Sequence, residues 1–531
     1  MWTWQDISQQ ARSVPDAVLH LLPDKSTVRY SSLEQHDGVH TASRLESGWS
    51  LARLRSKSQR SVYAAIGVLV VLTFVTFAAV SRQIIATDPS TTGDPEAIHE
   101  LSASGDEHPI SQLVRNAETQ FQSRLKAQST TLHEAIEEYK HRYGMPPPPL
   151  FDEWYRFATE RKTELIDEFD PIYDSLKLFW PISPTTIRGR TREALGYDNT
   201  LMGVSIRGGI VRIVGSGQDD FQVSATKEMT SAFSQWVPDM DIAFNVNDEP
   251  RIVIPHEDVE RLNSLATEAI QSVRPSKNRF TRPVDLNNGQ SYDRVDETRF
   301  NQLGHQQTWS HARMSCPPDT PARSFDPYVK DADVYFSFSG INFVQNMTIF
   351  SDICLTPSVR DMIGLFNHPN VFGVSHDLIP IFSPSKLSSF HDILYPSPYY
   401  YADRTVYDQD SGVPWDEKTP HLYWRGATSG GYSEGGTWRT LLRQSILSKL
   451  ASPGTVRLLY RETENLNEGS WTTKEIPGSD AAAQYDTKFT EVKQCAPAYC
   501  AEMPATLTFI LMQPKKSPGN TAIFWTWMGM H

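Results

Sequence analysis

Asp248 stands in the segment N-V-N-D-E-P, directly after the apolar run IAFNV and before Pro250. A carboxylate displayed at the end of a predicted strand is well placed to act as a general base toward a hydroxyl proton. A lone Asp in such a turn more often serves as a capping or turn residue. A second pattern is the turn RGATSGGYSEGG, with Gly426, Gly430, Gly431, Gly435 and Gly436, bracketed by Arg425 and Arg439. Glycines let backbone N–H groups approach a phosphate, and the helix predicted to follow offers its positive N-terminal end. The two guanidiniums could add charge-assisted hydrogen bonds. The turn matches neither G-x-G-x-x-G nor a Walker A pattern, and glycine-rich loops that bind nothing are common.

The third cluster, FSPSKLSSFHDILYPSPYY from Phe382 to Tyr400, interleaves Ser, Lys386, His391 and Asp392 with aromatic rings. Rings pack on the CH faces of a sugar while hydroxyls meet its polar groups. Structural packing explains the same composition equally well, and no G-x-S-x-G elbow accompanies His391. Asp239-Met240-Asp241, Asp331-Ala332-Asp333 and Asp408-Gln409-Asp410 all have the D-x-D spacing that shares a divalent metal. Nothing near any of them singles it out, so solvated turns are the better reading.

These residues need elements to hold them. HLYW (His421 to Trp424), the glycine-rich turn, TWRTLLRQSILSKL and TVRLLY (Thr455 to Tyr460) read as strand, turn, helix and strand, a βαβ unit. From about residue 203, short runs such as GGIVRIVG and RIVIP alternate with helical stretches, which predicts an α/β architecture. Residues 275–330 are polar and weakly periodic and read as a long surface excursion. Upstream, Ile110, Leu113, Ala117, Phe121, Leu125, Leu132, Ile136 and Tyr139 form one helical stripe, expected to dock on its own domain. Pro146 to Pro149 ends it, and a second helical stretch is predicted over Phe151 to Leu178.

Val62 to Val80 is nineteen residues without a charge, long enough for about 28 Å of helix. Arg53, Arg55, Lys57 and Arg60 crowd its N-terminal side against Arg82 on the other. The positive-inside rule then predicts a single-pass anchor with residues 1–61 in the cytosol and the rest lumenal. The chain of 531 residues carries a formal charge of −13 and has no Lys/Arg block, so nucleic acid is not an expected partner. Cys316, Cys354, Cys495 and Cys500 form no CxxC pair, which argues against structural zinc and leaves one or two disulfides of open connectivity. Asn346-Met347-Thr348 is an N-x-S/T triplet that could carry a glycan in a lumenal domain.

The stretch IPIFSPSKLSSFHDILYPSPYY through PWDEKTPHLYWRGATSGG resembles the family 90 glycosyltransferases, which include fungal capsule-associated xylosyltransferases and Rumi-like protein O-glucosyltransferases. HPISQLVRNAETQF, LHEAIEEYKHRYGMPPPPLFDEWY, LIDEFDPIYDSLKLFW and SCPPDTPARS extend the likeness to the fungal branch, over about residues 109–500. The resemblance implies a GT-B-like fold of twin Rossmann-like domains behind an N-terminal helical stem. It implies Asp248 as catalytic base, at the Asp of the animal N-x-R-D-x-P motif, with Asp239 and Asp241 in a segment that binds no metal. Arg425, Gly426, Thr428, Ser429 and Arg439 would bind a UDP-sugar donor, of xylose or glucose, and Tyr395, Tyr399 and Tyr400 would hold sugar rings. No tightly bound cofactor or metal is implied, and the acceptor is a glycan or glycoprotein hydroxyl. Asn247 stands where the animal proteins have Arg, and Ala427 where they have a donor-contacting Ser.

The expected organisation is a cytosolic tail (1–61), membrane helix (62–80), linker (81–108), helical stem (109–200), acceptor-side domain (201–390) and nucleotide-sugar domain (391–531). The resemblance leaves the last of these short of part of its family length. The expectation is thus a membrane-anchored Golgi or ER glycosyltransferase, and the alternative a truncated, non-catalytic glycan-binding relative.

Overall fold

The computed structural model describes residues 107–509, apart from 216–220, 276, 282–285, 327, 402–412, 452–453 and 462–469. The expected tail, membrane helix and nearly all of the linker lie outside the described residues, as do Asp408 and Asp410 and everything after residue 509. No helix among the described residues is long and apolar enough to cross a membrane.

Helices of eight residues or more are labelled α1 to α9. The first four are α1 (Pro109–Ala127), α2 (Leu132–Tyr143), α3 (Phe151–Glu160) and α4 (Asp170–Lys177). A capping box between Thr131 and Glu134 starts α2, and Gly144 in the left-handed region (φ 65°) ends it. The stretch expected as one helix over 151–178 is broken into α3 and α4, and its aromatic residues instead close a small core. Ala135, Phe151, Ala158 and Ile166 are buried there, with Tyr139 and Trp154 packed against them.

α1 departs from expectation. Ile110 and Phe121 of the expected stripe stay 52% and 46% exposed, so it does not dock along its length. Contacts hold it near its ends, where the His108 ring lies 4.7 Å from that of Trp471 and Arg124 pairs with Glu168 at 3.8 Å.

After α5 (Pro184–Gly196) comes a mixed sheet built from β1 (Leu201–Arg207), β2 (Ile210–Gly215), β3 (Met240–Asn245), β8 (Ile381–Ser383) and β9 (Ile393–Leu394), in the order β2-β1-β3-β8-β9. β1 and β2 form a hairpin whose two turn residues, Gly208 and Gly209, have φ of 54° and 76°. A two-residue turn of that hand needs positive φ at both positions, which glycine adopts without strain. β3 is antiparallel to β1 but parallel to β8, and β8 is parallel to β9, so β3, β8 and β9 end on the same side. Met202, Val204 and Ile206 alternate onto one face with Val223 of α6 (Phe221–Ser231). Ala243, Ile381 and Ile393 take the other face, with Ala194 of α5 and Leu262 of α7 (His256–Gln271).

Residues 275–330 are not a surface excursion throughout. Gly203 leaves a slot in β1 that the Tyr292 ring fills, so closely that a Cβ would sit 2.4 Å from it. Phe300, Ala312, Cys316 and Ala322 are buried. Cys316 is bonded to Cys354, and Cys495 to Cys500. Within this stretch and beyond it, the antiparallel pairs β4 (Asn301–Gln302) with β7 (Gly373–Val374) and β5 (Tyr335–Phe338) with β6 (Ile341–Val344) are short.

The C-terminal part holds β10 (Leu422–Ala427), α8 (Leu442–Leu450), β11 (Thr455–Arg461), β12 (Trp471–Pro477), β13 (Tyr485–Glu491) and α9 (Pro497–Thr506). The elements of the expected βαβ unit are present, but β10 and β11 are not neighbours. β10 pairs in parallel with β13, while β11 turns back antiparallel on β12. The crossover therefore contains both a helix and a hairpin. The architecture is mixed α/β.

Candidate functional site

Asp248 follows the last residue of β3 by three positions and its side chain is exposed. The loop that carries it is held by buried polar groups. Asn245, 1% exposed, donates from Nδ2 to the Glu249 carbonyl at 2.7 Å and to Ser383 Oγ at 3.2 Å, while its Oδ1 accepts the Asn247 N–H at 3.1 Å. Ser385 Oγ donates to the Asp248 carbonyl at 2.5 Å. Ser383 Oγ donates to Asp392 Oδ1 at 2.6 Å, and the same carboxyl accepts the backbone N–H groups of Arg251 at 2.9 Å and Ile252 at 2.8 Å.

Asp392 is fully buried, which raises its pKa against the hydrogen bonds that favour its charge. Arg251 is 1% exposed and spends its guanidinium on the carbonyls of Gly373 (2.9 Å) and Asn199 (2.5 Å) over the Phe300 ring. Burial lowers it to about 10. Glu249 is pushed up to about 7, by burial first and by the charge of Asp248 second among the raising causes.

Tyr395 follows the last residue of β9, so it shares the strand end that presents Asp248. Its ring stands edge-on to Phe244 at 4.8 Å. Tyr399 and Tyr400 lie on the helical turn Pro398–Tyr401 and are exposed, with the Tyr399 ring 4.9 Å from Phe221 of α6. Other members of the same cluster do structural work. Lys386 Nζ donates to Ser175 Oγ of α4 at 2.9 Å, and burial lowers its pKa. His391 is pushed down to about 4 by burial and by Lys386, so it is neutral at pH 7. Hydrogen bonds within the fold thus account for Lys386 and Asp392, whereas the buried His391 Nδ1 has no hydrogen-bond partner.

Much of the glycine-rich loop is engaged within the fold. Arg425 pairs with Asp486 at 2.6 Å and lies 4.3 Å over the Tyr423 ring. A Cβ on Gly426 would stand 2.7 Å from the Trp424 ring. Thr428 is buried, its Oγ1 accepting the Lys493 N–H at 2.8 Å and donating to the Lys493 carbonyl at 3.0 Å. Arg439 pairs with Glu502 and stacks over Trp438 at 4.6 Å. The N–H groups of Gly430 and Gly431 converge on Gln494 Oε1 at 2.9 and 3.3 Å.

Sequence reasoning overlooked Arg443, on the first turn of α8. Its Nη1 donates to the carbonyl of Ser429 at 2.8 Å and to its hydroxyl at 3.1 Å, with no carboxylate partner among the described residues. The available signal was its position one helical turn beyond Arg439. Asn245, Ser383 and Gln494 carried no comparable signal, because their roles depend on pairings made across the fold.

In the two described acidic pairs, Asp239, Asp241 and Asp331 are engaged by neutral or cationic partners. Asp241 pairs with Arg207 at 2.9 Å, Asp239 accepts the Gly208 N–H at 2.6 Å, and Asp331 accepts from the backbone and hydroxyl of Ser358. A cavity of about 1040 Å³ lined by Arg207, Trp236, Asp239, Phe280 and Asn287 opens at the N-terminal end of β3, at the other end of the strand from Asp248. Its lining includes no residue of the Asp248 loop. No family model matches this chain, and no curated protein matches it.

Proposed function

We propose that this chain is a membrane-anchored inverting glycosyltransferase that moves a sugar from a UDP-sugar to a glycan or glycoprotein hydroxyl, with a GT-B-like pairing of its two halves. The observation that carries the reading is Asp248, an exposed carboxylate on a tightly held loop at the shared C-terminal end of β3, β8 and β9. That edge of a parallel arrangement is where α/β folds bind ligands. In the proposed reaction Asp248 takes the proton of the acceptor hydroxyl as its oxygen attacks the anomeric carbon. The bond from that carbon to the β-phosphate oxygen breaks, and its electron pair leaves with UDP. Arg443 and the glycine-loop amides would stabilise the departing diphosphate once Gln494 yields its place. Residues 62–80 would anchor the enzyme with its main part in the Golgi or ER lumen, and the two disulfides fit an oxidising compartment.

The test is sugar transfer by the full-length chain from UDP-xylose and UDP-glucose. Asp248→Asn should lower transfer by about 10²- to 10⁴-fold while UDP binding persists; full transfer by the variant sinks the assignment. A second reading, a non-catalytic glycan-binding relative, is favoured by the pairing of Arg425 and Arg439 and by the cap of Gln494 on the loop amides. It predicts glycan binding without UDP binding.

A further inference from the structure

Both N–H donors and the oxygen of the Asn245 amide are engaged. Its two N–H donors go to the Glu249 carbonyl and Ser383 Oγ, and its oxygen takes the Asn247 N–H. The orientation of this amide is fixed by its neighbours. The single proton of the Ser383 hydroxyl goes to Asp392, so the hydroxyl can only accept from Asn245, and the Glu249 carbonyl can only accept. Asp392 in turn is fixed by the backbone N–H groups of Arg251 and Ile252, which lie just past the loop. The result is a closed circuit through the interior, from Asn245 to Ser383 to Asp392 to the backbone at 251–252. It straddles residues 246–250 at both ends. Asn245, Ser383 and Asp392 are each 1% exposed or less, and the exposed group inside the circuit is the Asp248 carboxylate.

We infer that Asn245 is a positioning residue for Asp248, and that the circuit through Ser383 and Asp392 exists to fix that carboxylate against an incoming hydroxyl. The inference rests on the glycosyltransferase reading. It adds a specific requirement, that the base works only while the Asn245 amide spans the loop. Buried polar groups cost stability unless every member is satisfied, and an apolar residue at 245 could fill the same space. The loop, rather than the core, is what the amide serves.

The experiment compares the full-length chain with Asn245→Ala and Asn245→Asp, and with Ile166→Ala as a control that opens a cavity in the small helical core, which shares no residue with the circuit. Asn245→Asp keeps the acceptor for Asn247 but sets oxygen against the Glu249 carbonyl. Two quantities are read: kcat and donor KM for UDP release from UDP-xylose and UDP-glucose, and hydrogen exchange of the amides of residues 246–249. Both Asn245 variants should lose about 10- to 100-fold in kcat with donor KM changed by no more than about twofold, as misplacement of one reacting group predicts. Exchange at 246–249 should accelerate in both. Ile166→Ala should lower the melting temperature and leave kcat and loop exchange as they are.

The inference is overturned if the Asn245 variants keep kcat within about threefold of the parent, a change too small for a displaced base. It is also overturned if the control lowers kcat as much as the Asn245 variants do, or if loop exchange does not change. A parent chain that releases no UDP and transfers no sugar refutes the glycosyltransferase reading instead. The exchange measurement then still decides whether Asn245 holds the loop.

Discussion

Asp248 and Glu249 are adjacent in the chain and differ in environment. Asp248 is exposed, whereas burial and the neighbouring charge push Glu249 up to about 7. A carboxyl whose pKa rises on folding keeps its proton more readily in the native state. Between the unfolded value of 4.5 and about 7 the folded chain therefore binds more protons, and stability is lost as pH rises through that window. Glu249→Gln removes the titration while keeping the shape. It should match the parent below the window and exceed it by roughly 2–3 kcal/mol at pH 8. Thermal melts from pH 4.5 to 8 check this, and a difference between the two proteins that stays constant with pH would refute it. The display of Asp248 was legible in the sequence because an apolar run followed by a polar turn and Pro250 marks a strand end without reference to any other segment. Its clamp was not, since Ser383 and Asp392 reach Asn245 only after β8 and β9 have joined β3.

At the scale of elements, the glycine-rich turn changes meaning. Its composition suggests phosphate binding, yet part of the need for glycine comes from a backbone crossing. A Cβ on Gly364 would lie 1.9 Å from the Gly430 carbonyl oxygen, and one on Gly431 would lie 2.7 Å from Gly364 Cα. Gly435, at φ 58°, faces open space. Gly364→Ala should consequently cost about 2–4 kcal/mol by forcing two backbones apart, whereas Gly435→Ala should cost about 1 kcal/mol for its left-handed φ alone. Denaturant midpoints of the two variants measure the difference, and equal costs would mean that the crossing is not what selects glycine. The crossing could not be read in advance, because the residues that meet are more than sixty apart in the chain. The same limit explains the βαβ expectation. Strand, turn and helix were each recognisable from local pattern, but pairing β10 with β13 requires contacts that no local pattern encodes.

On the scale of the whole molecule, one core joins the Asp248 side to the glycine loop. Cys316, Cys354, Val253, Leu365 and Phe366 belong to a single buried cluster. Val253 lies just past Arg251 and Ile252, where the circuit around Asp248 closes, and Leu365 and Phe366 adjoin the Gly364 crossing. The Cys316–Cys354 bridge therefore staples the region on which both halves of the proposed site depend, whereas Cys495–Cys500 staples only the turn into α9. The two bridges span 38 and 5 residues of chain, so cross-linking removes more freedom from the unfolded state in the first case. Replacing the first pair by alanine should cost about 4 kcal/mol and replacing the second about 2 kcal/mol. The paired variants, compared by thermal melting and UDP release, should separate further in function. Loss of the 316–354 bridge should lower turnover at temperatures well below its melting point, because loosening this core moves the Asp248 loop and the glycine loop together. Loss of the 495–500 bridge should act mainly on UDP affinity, through Gln494, the residue immediately before Cys495. Equal stability losses with equal effects on turnover would show that the two halves of the site do not share the core that joins them.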